Sequence, residues 1–168
     1  NNDDNVVYYS NGTDWLKIAT TPVVLSSVSG TLYAGAASTL TLAGTGFLSA
    51  NLVVNFAQSS DSIDTNITVT PSSDTAATVT VTSAIYDNVT AGNAVTIKVT
   101  NSDGRESDGQ NVTATALPSG GTITNAGGFR IHSFTSSGNF VNTISGLAVE
   151  YLIVAGGGGG GTDRDVGG

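Results

Sequence analysis

His132 is the sole histidine among 168 residues. As a general base it would need a nucleophile or an orienting partner within hydrogen-bond reach. Its place between Ile131 and Ser133 instead predicts a packed or half-exposed strand position. Carboxylates gather at three places. Asp103, Glu106 and Asp108 lie in "NSDGRESDG", Asp61 and Asp64 lie in "SSDSID", and Asp163 and Asp165 flank Arg164. Calcium takes such oxygen ligands, but the first cluster does not meet the EF-hand spacing. Solvated turns are expected at the first two. Thr162, Asp163, Arg164 and Asp165 form a candidate receptor-facing loop tip, with plain surface solvation the favoured reading for Asp163, Arg164 or Asp165 taken singly.

Trp15 with Tyr8 and Tyr9 would suit stacking against a carbohydrate. Cross-strand packing accounts for the same three residues and is the favoured reading. Asn11, Asn66, Asn88 and Asn111 each open an N-x-T triplet, which a chain rich in Asn and Thr produces by chance. No G-x-S-x-G, phosphate-binding loop or dinucleotide fingerprint occurs. Catalysis, a metal and a cofactor are not expected.

The glycine tract Gly156, Gly157, Gly158, Gly159, Gly160, Gly161 raises a different question, because an apolar run, "VEYLIVA", leads straight into it. It lacks the Lys-Ser/Thr that a phosphate cradle needs. A flexible linker would carry Ser or other polar residues and lead to a new domain. The favoured alternative is structural: only glycine lets backbones pack with nothing between them. Six residues on a polyproline-II path would span about 19 Å at about 3.1 Å per residue.

Charge narrows the partners. Lys and Arg total 5 against 13 Asp and Glu, for a net charge of −8. The five basic residues (Lys17, Lys98, Arg105, Arg130 and Arg164) are scattered, so no basic patch is left to neutralise phosphates. No nucleic-acid partner is expected, nor attraction to an anionic membrane. Without cysteine there are no disulfides, thiolate zinc sites or Cys nucleophiles. No apolar run approaches the length needed to span a bilayer, and no signal peptide is read. The chain opens without methionine and stops within a Gly-rich tract, so a longer parent protein is expected.

The elements that must position these residues are strands. Charged residues are only 11%, against about 25% in an ordinary globular domain. Thr, Ser and Asn supply the missing polarity and favour strands and turns over helices. Val6 to Tyr9 and Trp15 to Ala19 read as a hairpin about Asn11-Gly12, closed by Pro22. Between Val23 and Ala116 seven apolar runs follow. "VVLSSV" is the first. Period-two alternation then puts Leu40 and Leu42 on one face, and likewise Leu52, Val54 and Phe56. The same holds for Ile67 and Val69, for Val79 and Val81, for Val95, Ile97 and Val99, and for Val112, Ala114 and Ala116. Short alternating strands at this spacing predict an all-β chain built around a β-sandwich, with helices nearly absent. Beyond Leu117, further strands are expected at Phe129 to Phe134, from Phe140-Val141, and at Val149 to Ala155.

Two stretches resemble known families. "VVLSSVSGTLYAGAASTLTLAGTGF" resembles the opening of the IPT/TIG immunoglobulin-like domains, down to Gly44-Thr45-Gly46-Phe47 followed by a strand. "AGNAVTIKVTNSDGRES" resembles the closing hairpin of those domains, whereas "AQSSDSIDTN" is longer and more polar than their pattern. The resemblance implies an Ig-like fold over about 23–116; it implies no single function, since such domains serve as spacers, partner-binding modules and DNA-binding subunits. "GGFRIHSFTSSGNF" and "VEYLIVAGGGGGG" resemble the start of a glycine-rich module common at the ends of bacteriophage tail fibres and adhesins. That resemblance implies glycine strands holding out variable loops. "YYSNGTDWLKIATTP" resembles a segment of structural proteins of marine tailed phages.

The expected organisation is an attachment hairpin at 1–21, an Ig-like (IPT/TIG) sandwich at 22–117, and a short β, glycine-rich module beginning at 118–168. The resemblances imply a structural virion protein of a tailed bacteriophage, a tail-fibre subunit for host attachment. Its expected partners are other virion proteins, further copies in a trimer, and a host surface receptor (glycan or protein). A capsid or tail decoration protein and a bacterial surface adhesin are the rival expectations. An enzyme ranks below all three.

Overall fold

Alternation becomes a strand only where a neighbour takes up the backbone hydrogen bonds. A computed structural model describes residues 6–20, 22–48, 50–61 and 63–156, with backbone alone at 6–8 and 15–20. The chain is all-β. β1 (Val6–Ser10) and β2 (Trp15–Thr20) form an antiparallel hairpin, with Ser10 opposite Trp15 and a bulge between Val7 and Tyr8. The Asn11 side chain organises its turn by accepting from the Thr13 and Asp14 amides at 2.9 and 2.7 Å.

Two sheets follow. β3 (Val24–Ser29), β5 (Ser38–Thr45) and β8 (Ala76–Val81) make one, in the order β3-β5-β8; β4 (Tyr33–Ala34) lies between the first two in sequence. The other runs β10-β9-β6-β7, from β6 (Leu52–Gln58), β7 (Ile63–Val69), β9 (Ala94–Thr100) and β10 (Gln110–Thr113). All pairings within these two sheets are antiparallel. A single helical turn, α1 (Ser83–Tyr86), crosses from β8 towards β9 and buries only Ile85. β11 (Thr115–Ala116) returns to pair in parallel with β4.

Both sheets bury their inner faces in one core. Leu25, Leu40, Leu42, Val79 and Val81 come from the first; Leu52, Val54, Phe56, Ile63, Val95, Ile97 and Val99 come from the second. Leu32, Phe47, Ile85, Val89 and Ala114 join them. The inward faces expected from period two are therefore largely those the fold buries, with Ile67, Val69 and Val112 packed partly against the same core and Ala116 only half-buried. Gly44 and Gly46 let the chain turn beneath this core. A side chain on Gly44 would run into the Val24 carbonyl and the Phe47 ring, and Gly46 has φ +73° with the Pro22 carbonyl 2.7 Å from where its Cβ would stand.

The part beyond Pro118 differs from expectation. β12 (Thr122–Ala126), not expected from the sequence, pairs antiparallel with β13 (Phe129–Ser133). Gly127 and Gly128 close this hairpin with φ +58° and +82°, the positive values a two-residue loop requires. Phe134 lies outside the strand. The strand expected at Phe140-Val141 reduces to one bridge between Ser119 and Val141. Val149 to Ala155 forms no strand at all. Among the described residues nothing pairs with it, and without a ladder an apolar run has no reason to stay a strand. No residue from Ser119 to Gly156 is buried.

Candidate functional site

The candidate site of the sequence reading begins at Gly156, the one tract residue among those described. Among the described residues nothing lies within 4 Å of where its Cβ would be. Gly157 to Gly161, Thr162, Asp163, Arg164 and Asp165 lie outside the described residues.

What leads into the tract is exposed. Tyr151, Leu152, Ile153 and Val154 are each more than four-fifths exposed, at 84%, 87%, 81% and 83%. Phe129, Ile131, Phe134, Phe140, Val141, Leu147 and Val149 are also exposed. Ile123 on β12 is exposed as well, and before Pro118 only Tyr9 and Val24 are exposed large apolar residues among those described. Single exposed apolar residues are ordinary on a folded protein, whereas here they concentrate beyond Pro118.

His132 is half-buried in β13. Its Nδ1 lies 2.8 Å from the Gly120 carbonyl oxygen, and its ring meets Phe140 edge-on, with centroids 5.0 Å apart. A carbonyl accepts only, so Nδ1 carries the proton in this contact. Nε2 is shielded and has no hydrogen-bond partner among the described residues. Among the described residues no nucleophile is bonded to the ring; the histidine ties β13 to the turn at Gly120, and Arg130 ties it to Pro118, whose carbonyl accepts from Nε at 3.3 Å. The packed strand role expected of His132 is the one it has.

The carboxylates stay apart. Asp103 accepts from Arg105 Nε at 2.6 Å, and Glu106 pairs with Lys98 at 2.7 Å. That hydrogen bond, together with the charge of Glu106, holds the Lys98 ammonium above its ordinary pKa. Asp61 accepts from Thr90 Oγ1, and Asp64 from the Asn55 amide. Among the described residues, no three His, Cys, Asp or Glu side chains come close enough to hold a metal ion. In the β1–β2 hairpin Tyr9 is about half exposed, and Trp15 stands opposite Ser10 in the ladder. The four N-x-T asparagines are engaged: Asn11 in its turn, Asn66 with Asn55, Asn88 with the Ala84 carbonyl, and Asn111 with Thr96.

The buried polar groups were not singled out in the sequence, though their signal was there. Gln58 and Asn101 occupy the next inward positions after Leu52-Val54-Phe56 and Val95-Ile97-Val99. Both are buried, and both hold loops. Gln58 clasps Thr90; Asn101 accepts from the Leu48 amide and donates to the Gly46 carbonyl. They are structural clips, not reactive groups. The chain matches no family model, no curated protein and no solved structure.

Proposed function

We propose that this chain is a structural virion protein of a tailed bacteriophage, a tail-fibre subunit used for host attachment, and not an enzyme. The observation that carries the reading is the display of apolar side chains from Phe129 to Val154, outside any core, in the stretch whose sequence resembles phage glycine-rich tips. A folded β support ending in a contact surface is what attachment requires. The finer fold reading belongs to the same proposal. With β3, β5, β6, β7, β8, β9 and β10 taken as strands A, B, C, C′, E, F and G, the sheet orders read A-B-E and G-F-C-C′, the arrangement of an Ig-like sandwich. Residues 22–117 are then a rigid spacer, 1–21 an attachment hairpin, and 118–168 the start of the tip.

On this reading the partners are other virion proteins, further copies of the chain in a trimer, and a host surface receptor. Cryo-electron microscopy of the intact particle tests it. The expected result is several copies about the tail axis with Gly156 to Asp165 pointing outward. Copies spread over a capsid lattice would replace attachment with decoration, and absence from every particle would end the virion reading.

A further inference from the structure

The turn of the β1–β2 hairpin carries the residues for a reaction of the chain with itself. Asn11-Gly12 is the one Asn-Gly pair in the sequence; every other asparagine is followed by a residue with a side chain. The main-chain nitrogen that follows an asparagine can attack its side-chain amide, and glycine alone leaves that approach unobstructed. Both residues are exposed, and among the described residues nothing lies within 4 Å of where a Gly12 Cβ would stand. Three contacts bear on the reacting atoms. Asn11 Oδ1 accepts from the Thr13 amide at 2.9 Å and from the Asp14 amide at 2.7 Å. Attack at Cγ makes Oδ1 an oxyanion, and main-chain N–H donors at such distances are what stabilise one. The Gly12 amide donates to Ser10 Oγ at 3.1 Å. The bond that must give up its proton therefore already points at a hydroxyl able to pass it to water. Asn101 and Asn142 each accept one main-chain amide on Oδ1, and Ser102 and Thr143 follow them.

We infer that Asn11-Gly12 is a self-modification site, at which the folded turn speeds the hydrolytic conversion of Asn11 to aspartate and isoaspartate. Gly12 N forms a bond to Asn11 Cγ. The Cγ–Nδ2 bond breaks, and Nδ2 leaves as ammonia with the proton that Gly12 gave up. The cyclic imide that results is opened by water. Opening at Cγ restores the ordinary main chain with aspartate at 11; opening at the main-chain carbonyl leaves isoaspartate. One water is consumed, one ammonia is released, and nothing is oxidised or reduced. Either product adds a negative charge to a chain of net charge −8. Isoaspartate also adds a carbon to the main-chain path, inside a turn that the Asn11 amide closes on the Asp14 carbonyl at 3.1 Å. The inference goes beyond the proposed function and does not rest on it.

The full chain is held in mildly alkaline buffer, folded in one sample and unfolded in urea in another. Its peptides are followed by mass and by an enzymatic isoaspartate assay, with Asn11→Asp as the mass standard. The peptide bearing Asn11 is expected to convert first, and about tenfold faster in the folded chain than in urea. That is a small part of the roughly 10²- to 10³-fold that one oxyanion donor supplies in an enzyme, because this turn is open to water. Ser10→Ala should slow conversion in the folded chain and leave the rate in urea unchanged. Conversion no faster folded than in urea overturns the inference. So does conversion that begins at another asparagine, or a Ser10→Ala chain that converts at the parent rate when folded.

Discussion

The Gln58 side-chain amide closes two hydrogen bonds on one residue 32 positions away: Nε2 donates to the Thr90 carbonyl at 3.2 Å, and Oε1 accepts from the Thr90 amide at 2.8 Å. An amide can do both because it carries a donor and an acceptor side by side, as a neighbouring strand would. The clasp fastens the segment between α1 and β9 to the end of β6. Gln58→Leu fills a similar volume but leaves both Thr90 groups without that partner. A loss of about 2 kcal/mol is expected in urea unfolding, within the usual cost of stranding buried polar groups.

Asn101 does comparable work at the other end of the core. It bonds Leu48 N at 3.1 Å and Gly46 O at 2.8 Å, pinning the Gly44-to-Phe47 turn to the β9–β10 hairpin. Asn101→Ala should cost about 2 kcal/mol by the same measurement. Gly44→Ala should cost about 3 kcal/mol, because the added methyl has nowhere to go between the Val24 carbonyl and the Phe47 ring.

Large core residues and large exposed ones should part company sharply. Phe56 is fully buried, and Phe56→Ala should lower stability by about 4 kcal/mol through lost burial and a cavity. Leu152→Ser should leave thermal unfolding within about 0.5 kcal/mol of the parent, since Leu152 is exposed.

The Lys98–Glu106 pair sets a pH dependence of known sign. Glu106 raises the lysine pKa above the ordinary 10.5, chiefly through their hydrogen bond. The stabilisation is fully present below the unfolded value and is lost as pH rises through the raised folded value. Melting temperature compared between the parent and Lys98→Met should therefore differ at neutral pH and converge in strongly alkaline solution. The difference should be small, since both side chains are exposed and screened.

Much of the two-sheet core could be read from alternation alone. Leu40 with Leu42, and Val95 with Ile97 and Val99, point inward because a period of two allows nothing else once one face is wet. The same count, carried one step further, reaches Gln58 and Asn101, where polarity conceals the inward position. The run from Val149 to Ala155 reads as the best strand of its region and is none. Periodicity and composition report what a segment would bury, but a strand also needs a neighbour, and no local feature of "VEYLIVA" says where one stands. β12 escaped for the opposite reason: Thr, Asn and Ala make a weak pattern, and it is the Gly127-Gly128 turn and the stronger β13 that hold it.

The parallel pairing of β4 with β11 governs how the folded part would bear a pull between its two ends. β4 is entered from the N-terminal side, and β11 leads out towards the C-terminus. Tension applied at those ends draws the two strands past each other lengthwise. Bonds such as the one from the Thr115 amide to the Leu32 carbonyl, 2.8 Å long, would be strained side by side rather than peeled in succession. A short patch placed there resists extension out of proportion to its length, much as a lap joint outlasts a zipper cut from the same cloth.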